Sequence, residues 1–249
     1  MKQDLVSRYS GSILGGAWSF VMPLVNILIF VVIFSKIMGA RLEMLGGEFA
    51  EYSYSIYLVS GILAWTAFSN TVSRVTNIFT EKASLIGKVN ISLLQLPTYI
   101  VLTETVIFAI SYLFFLAFIL IIGFPLSEYA LLIPFVFIVQ QILAYAIGFI
   151  CAVIGVFIKD VKELVGVGMH LWFWLTPIVY VVDILPEHVR IFFMMNPIYH
   201  IMTAYRDLLM YQKLPDLLPL TIILVLAVSM LMAGIYLCKK LERDIRDFI

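Results

Sequence analysis

The sequence predicts an all-α integral membrane protein with six transmembrane helices in one domain, 1–249, and three observations predict it. Hydrophobic residues make up 63% of the chain and charged residues 13%, with a mean hydropathy of +1.05. Soluble domains are about 45–50% apolar and about 25% charged, so lipid is the natural solvent for the excess. A hydrocarbon core about 30 Å thick needs about 20 apolar residues at about 1.5 Å rise each. Six stretches meet that length: 17–38, 53–73, 97–122, 129–158, 164–182 and 214–238. Finally, Lys and Arg fall unevenly between the connections. With a cytoplasmic N-terminus, the inner side receives Lys2, Arg8, Arg74, Lys82, Lys88, Lys159, Lys162, Lys239, Lys240, Arg243 and Arg246. The outer side receives Lys36, Arg41, Arg190, Arg206 and Lys213. Eleven of the 16 cations therefore lie inside, which fixes the orientation and puts both termini in the cytoplasm.

The elements follow in order. Within 1–16, Leu5, Tyr9 and Ile13 share a face while Lys2, Asp4 and Arg8 lie off it, the pattern of an amphipathic helix on the inner leaflet. The apolar run from Ala17 past Phe34 is longer than the about 7–15 residues of a signal-peptide core, and no A-x-A site follows it. It reads as a retained span. The second span carries Ser53, Tyr57, Ser60, Ala64 and Thr71 on one side, with Gly61 adjacent. Small residues at that spacing serve close helix packing, with a channel wall as the alternative. Glu104 is the one acid well inside a span. It must face protein or water, either in an interhelical hydrogen bond or in a proton relay or hydrophilic path.

The fifth span crowds His170, Trp172, Phe173 and Trp174 ahead of Pro177, which is expected to kink the helix. Aromatics near span ends form interfacial belts, and they also stack on sugar rings. Tyr57, Trp65, Trp172, Trp174 and Tyr180 are the residues that would contribute to such a stacking surface. The 183–213 segment is long for a connection, yet apolar, and Asn196-Pro197 splits it. Two short helices dipping back into the membrane edge fit it, either as a packed cap or as a movable closure. The tail, 239–249, places Leu241, Ile245 and Phe248 on one stripe, with Glu242 and Arg246 able to pair across i, i+4.

Several chemistries are missing. No G-x-x-x-x-G-K-S/T phosphate loop, H-E-x-x-H or G-x-S-x-G occurs. His170, His188 and His200 have no nucleophile or metal partner at short spacing, so no catalytic or metal site is expected. His200 and Asp207 share a face at i, i+7 with Thr203 between them, a pattern that suits a packing network better than catalysis. Cys151 and Cys238 form no C-x-x-C pair and read as reduced thiols. A formal net charge of zero gives no sign of nucleic-acid binding.

A series of stretches then acquires meaning together. They are Arg8-Tyr9 with Leu14-Gly15, Trp18 and Pro23-Leu24; Ser53-Tyr54-Ser55-Ile56-Tyr57 with Ser60-Gly61; and Phe79-Thr80-Glu81-Lys82. Phe157-Ile158-Lys159-Asp160-Val161-Lys162-Glu163, Phe173 to Tyr180, Asn196-Pro197 and Lys239 to Ile245 follow. In this order the chain resembles the transmembrane permease subunit of ATP-binding-cassette exporters for O-antigen and related cell-surface polysaccharides, with Lys159 where the family usually has arginine. The resemblance implies a homodimer in the bacterial inner membrane beside two nucleotide-binding ATPase subunits, which hold ATP and Mg, so this chain has no cofactor and is not an enzyme. It implies a polysaccharide carried on a polyprenyl diphosphate lipid, as in lipopolysaccharide biosynthesis.

The resemblance also implies a coupling helix at 77–92, with Phe79 as apolar anchor, Thr80, Glu81 and Lys82 at its rim, and Arg8 and Tyr9 as buttress. Outer gate helices are implied at 183–213, marked by Pro186, Asn196, Pro197 and Tyr199. Capsule and teichoic-acid exporters share much of the pattern. An ion-coupled carrier leaning on Glu104, or an intramembrane transferase, are the competing classes. The topology is tested by reporter fusions. Those at Phe124 and Asp216 should report the outer side and those at Lys88 and Lys162 the inner side; an external C-terminus would refute it.

Overall fold

The computed structural model describes residues 12, 15–33, 52–89, 91–182 and 186–248. The interface helix expected over 1–16, with Arg8 and Tyr9, lies almost wholly outside these. Among the described residues every regular element is a helix. A 3-10 turn, Gly15–Ala17, leads into α1, Trp18–Val31, and α2 runs over Ser53–Glu81. A single turn, α3, covers Ala83–Ile86, and α4 covers Thr98–Ile121. A 3-10 turn at Glu128–Leu132 opens α5, Ile133–Phe157. Next come α6, Val161–Trp174; α7, Glu187–Met194; and α8, Pro197–Leu209. The last two are α9, Leu217–Lys240, and α10, Glu242–Phe248.

Among the described residues three helical stretches, Thr98–Ile121, Glu128–Phe157 and Leu217–Lys240, are long and apolar enough to cross a membrane. At 29 residues α2 is longer than α4 or α9, about 43 Å at the helical rise. It fails on composition because it is the most enclosed of the long helices. The helices α1, α4, α5, α6 and α8 all pack on it. A helix wrapped by protein needs no apolar surface on every side, so its sequence signal weakens as its burial grows.

The α2–α5 seam is held in two ways. Gly148 permits close approach: a Cβ there would come within 2.9 Å of both the Val72 carbonyl oxygen and the Val75 Cβ. Polar side chains then bridge the seam. Gln140 donates to the Ala64 carbonyl at 2.9 Å, and the Thr71 hydroxyl donates to Gln141 Oε1 at 2.8 Å. Both glutamines are buried. α9 covers the other side of α5, and Gly234 rests against Phe149 and Ile150.

Two expectations change. The second helix continues to Glu81 rather than stopping at 73, so the first residues expected in a separate coupling helix, 77–81, complete α2, with α3 as a one-turn addition. The fifth stretch does not span as one helix over 164–182. α6 ends at Trp174 after 14 residues, and turns follow. Proline has no N–H and restricts the residue before it, so Pro177 stops this helix instead of kinking it. The two short helices of the outer segment do form, as α7 and α8. Asn196 caps α8, its side chain accepting from the Ile198 N–H at 3.0 Å, and Pro197 sits in the first turn, where a missing N–H costs nothing.

The seam is open to test. Gly148→Val should destabilise the protein by about 1–3 kcal/mol through overpacking, read as a lower unfolding temperature in detergent. An unchanged melting curve would mean that α2 and α5 are not in this register.

Candidate functional site

Where α6 breaks, the backbone of 175–180 leaves carbonyl groups without helical donors, and side chains from α2, from α8 and from the cap before α8 supply them. Arg206 on α8 donates through Nη2 to the Pro177 carbonyl at 2.8 Å and to the Ile178 carbonyl at 3.3 Å. The Tyr57 hydroxyl on α2 lies 2.9 Å from the Tyr180 carbonyl and 3.2 Å from that of Pro177. Tyr54 donates to the Val179 carbonyl. Asn196 donates to the Leu175 carbonyl at 3.1 Å and to the Thr176 hydroxyl at 3.0 Å, while accepting from Trp172 Nε1 at 2.9 Å.

Arg206 is 4% exposed, and its guanidinium carbon lies 3.5 Å from the centre of the Tyr57 ring. Among the described residues no carboxylate pairs with it and its Nε has no partner. Backbone carbonyl dipoles and the ring face therefore carry the stabilisation of this charge. Gly61 makes the room: a Cβ there would lie 3.1 Å from Arg206 Nη2.

A second feature lies along α2. Thr66 and Thr80 are exposed, and Ser69, Asn70, Ser73, Arg74 and Asn77 are half-buried. These positions recur at three- and four-residue steps and so form one face. From Thr66 to Thr80 it runs about 21 Å. The rest of the helix between them is packed away. Within this face Arg74 Nη1 pairs with Glu104 Oε1 of α4 at 2.8 Å, and Asn70 Nδ2 reaches Glu104 Oε2 at 3.5 Å.

The aromatic residues singled out from the sequence do not make one surface. Tyr57 and Trp65 are buried, and Trp65 packs edge-on against Phe173 at 5.7 Å. Trp172 and Tyr180 are half-buried and bonded within the broken segment, Tyr180 donating to the Trp174 carbonyl at 2.6 Å. Trp174 alone is well exposed. The polar positions named on the second span, Ser53, Ser60 and Thr71, are buried, and the open face lies on another side of the same helix. Phe79 is fully buried, edge-on to Phe149 at 6.2 Å, so its ring supports α2 from within; Thr80 and Glu81 are exposed and Lys82 is half-buried.

In the outer segment, Asn196 and Pro197 line a cleft of about 520 Å³ with Trp172, Phe192 and Phe193, while Pro186 is exposed and Tyr199 half-buried. His200 and Asp207 are not brought together: His200 Nε2 contacts the Met194 carbonyl oxygen at 2.7 Å and Asp207 pairs with Lys213 at 3.2 Å. Arg206 was missed as a site residue. Its signal was position: it sits four residues after Met202 and three before Leu209, on the apolar side of its helix.

An enclosed central helix with an open polar face, set among helices apolar enough for lipid, is the architecture of a membrane transport domain. The chain belongs to the ABC-2 type transporter family, whose model matches residues 1–210. It is 28% identical over 240 residues to the O-antigen export system permease protein RfbA of Myxococcus xanthus, covering 94% of this chain and 87% of that protein. It is 27% identical over 209 residues to a protein of the same name from Klebsiella pneumoniae, covering 84% and 77%.

The broken segment yields a graded prediction. Tyr57→Phe should cost about 1–3 kcal/mol, the range for a buried acceptor left unpaired. Arg206→Met should cost more, because it removes both carbonyl contacts of the guanidinium and leaves the Ile178 carbonyl without a donor. Thermal unfolding of the purified protein measures both; equal stability of both variants with wild type would mean that water satisfies these carbonyls.

Proposed function

We propose that this chain is the membrane-spanning permease subunit of an ATP-driven exporter that moves an O-antigen-type polysaccharide, linked to polyprenyl diphosphate, across a bacterial inner membrane. The single observation that carries this is the open polar face of α2. Hydroxyl, amide and guanidinium groups at membrane depth are costly against lipid and need water, a polar ligand or a second subunit. A hydrated glycan has the matching chemistry. The names of the similar proteins, which are O-antigen export permeases, support the same substrate class.

In this reading two copies of the chain face each other across the path, each with six spans and both termini in the cytoplasm. Two separate nucleotide-binding subunits hold ATP and Mg. They dock at the end of α2, where Thr80, Glu81, Leu85 and Val89 are exposed, joined by Lys82 and by Arg8 and Tyr9 of the interface helix. Exposed apolar residues within a charged rim suit a docking contact, and Leu85 takes the anchor position that the buried Phe79 vacates. The segment with α7 and α8 closes the outer end, re-entering the membrane edge. Glu104 works as a partner of Arg74 rather than as a proton carrier, in keeping with its 1% exposure and ion pair.

Two sets of variants in the producing bacterium test this. Ser69→Leu with Ser73→Leu should reduce surface polysaccharide to a small fraction of wild type while the ATPase subunit still co-purifies. Leu85→Asp should instead release the ATPase subunit or uncouple its hydrolysis from export. Wild-type surface polysaccharide from both would refute the reading.

A further inference from the structure

We propose that Arg74 is a binding point for the phosphate anion of a lipid headgroup, with Glu104 as the residue that positions it. The ion pair between them is asymmetric in burial. The Arg74 side chain is 24% exposed and that of Glu104 1%. A pair that served only to join α2 to α4 gains nothing by showing one charge and hiding the other. Here the carboxylate is turned inward and the guanidinium reaches the open face of α2. An anion approaching that face meets the cation first, in surroundings of low dielectric where the attraction is strong.

The neighbours suit an oxyanion. Asn70, Ser73 and Asn77 lie within about one turn of Arg74 on the same face, with Ser69 a little further along it, and they carry hydroxyl or amide N–H donors. Asn77 Nδ2 donates one of its hydrogens to the Ser73 carbonyl at 2.9 Å, which holds its side chain along the helix. A guanidinium presents donors in a planar fork that matches phosphate oxygens, and a carboxylate behind it fixes the plane of the fork.

Depth agrees. α2, at about 43 Å, exceeds a hydrocarbon core of about 30 Å by about 13 Å, so a residue about 10 Å from the helix end lies within a few Å of the hydrocarbon boundary, where a long arginine side chain reaches lipid phosphates. Arg74 is seven residues before Glu81, the last residue of α2. The same phosphate chemistry belongs to the diphosphate of a polyprenyl carrier and to the headgroup of an anionic phospholipid. The carrier is expected only if the export reading holds, whereas the phosphate site itself does not depend on that reading.

The test uses the full chain in nanodiscs of zwitterionic lipid, with binding measured by native mass spectrometry. Polyprenyl diphosphate, polyprenol of the same chain length and phosphatidylglycerol are the probes. Wild type should prefer the diphosphate over the polyprenol by about tenfold or more, the scale of one charge-assisted contact. Arg74→Gln should lose that preference. Because Arg74→Gln removes a cation from beside a buried carboxylate, Arg74→Gln with Glu104→Gln serves as the folded counterpart, its two amides able to bond each other.

If the folded double variant keeps the wild-type preference, the proposal is overturned. Competition by phosphatidylglycerol assigns the site to bulk anionic lipid, and absence of competition assigns it to the carrier; both outcomes support a phosphate site. Binding is read without export, so failure here leaves the export reading standing.

Discussion

The structure depends on satisfying a stretch of broken backbone inside a helical bundle. In lipid every unpaired peptide group costs several kcal/mol, which is why spanning segments are helices unless protein supplies other partners. At 175–180 protein does supply them. Arg206, Tyr57, Tyr54 and Asn196 reach the carbonyls that Pro177 and the turns around it deprive of helical donors. The donors come from α2 and α8 and from the cap between α7 and α8, so the break fastens those elements to the end of α6. Removing the break would leave Arg206 with a buried charge and far fewer dipoles to stabilise it.

That fastening also organises α2. Tyr57 and Gly61 bind its first half to the broken segment, while Thr71, Gly148, Gln140 and Gln141 bind its middle to α5. Polar bridges inside a membrane protein are modest individually, of the order of 0.6–2 kcal/mol. Their effect is directional. They determine which side of α2 is turned inward, and so leave Thr66, Ser69, Ser73 and Asn77 on the side that stays open. The polar residues of α2 thus divide into an interior group that holds the bundle and an outward group available to a ligand.

The Arg74–Glu104 pair joins these two roles. It ties α4 to α2 and brings a cation to the open face. An acid that looks anomalous when read as part of one span becomes ordinary once its partner on the next helix is known. Arg74, counted from the sequence as a loop cation, lies within α2 because that helix runs eight residues further than the apolar stretch that announces it.

By itself the sequence determined the solvent, the helical class, the division at Asn196-Pro197 and the family resemblance, whereas at Pro177 it announced a kink where the structure ends the helix. These depend on composition, on local sterics and on motifs in order, all of which are properties of short segments. Tertiary structure alone decided which polar and aromatic residues are available. Tyr57, Trp65 and Phe79 carry the chemistry of a ligand or partner surface but are packed inside, whereas Ser69, Ser73 and Arg74 are on view. Burial is set by neighbours distant in sequence, such as Phe149 over Phe79 and Phe173 over Trp65. No periodicity within one helix distinguishes a polar face that meets another helix from a polar face that meets open space.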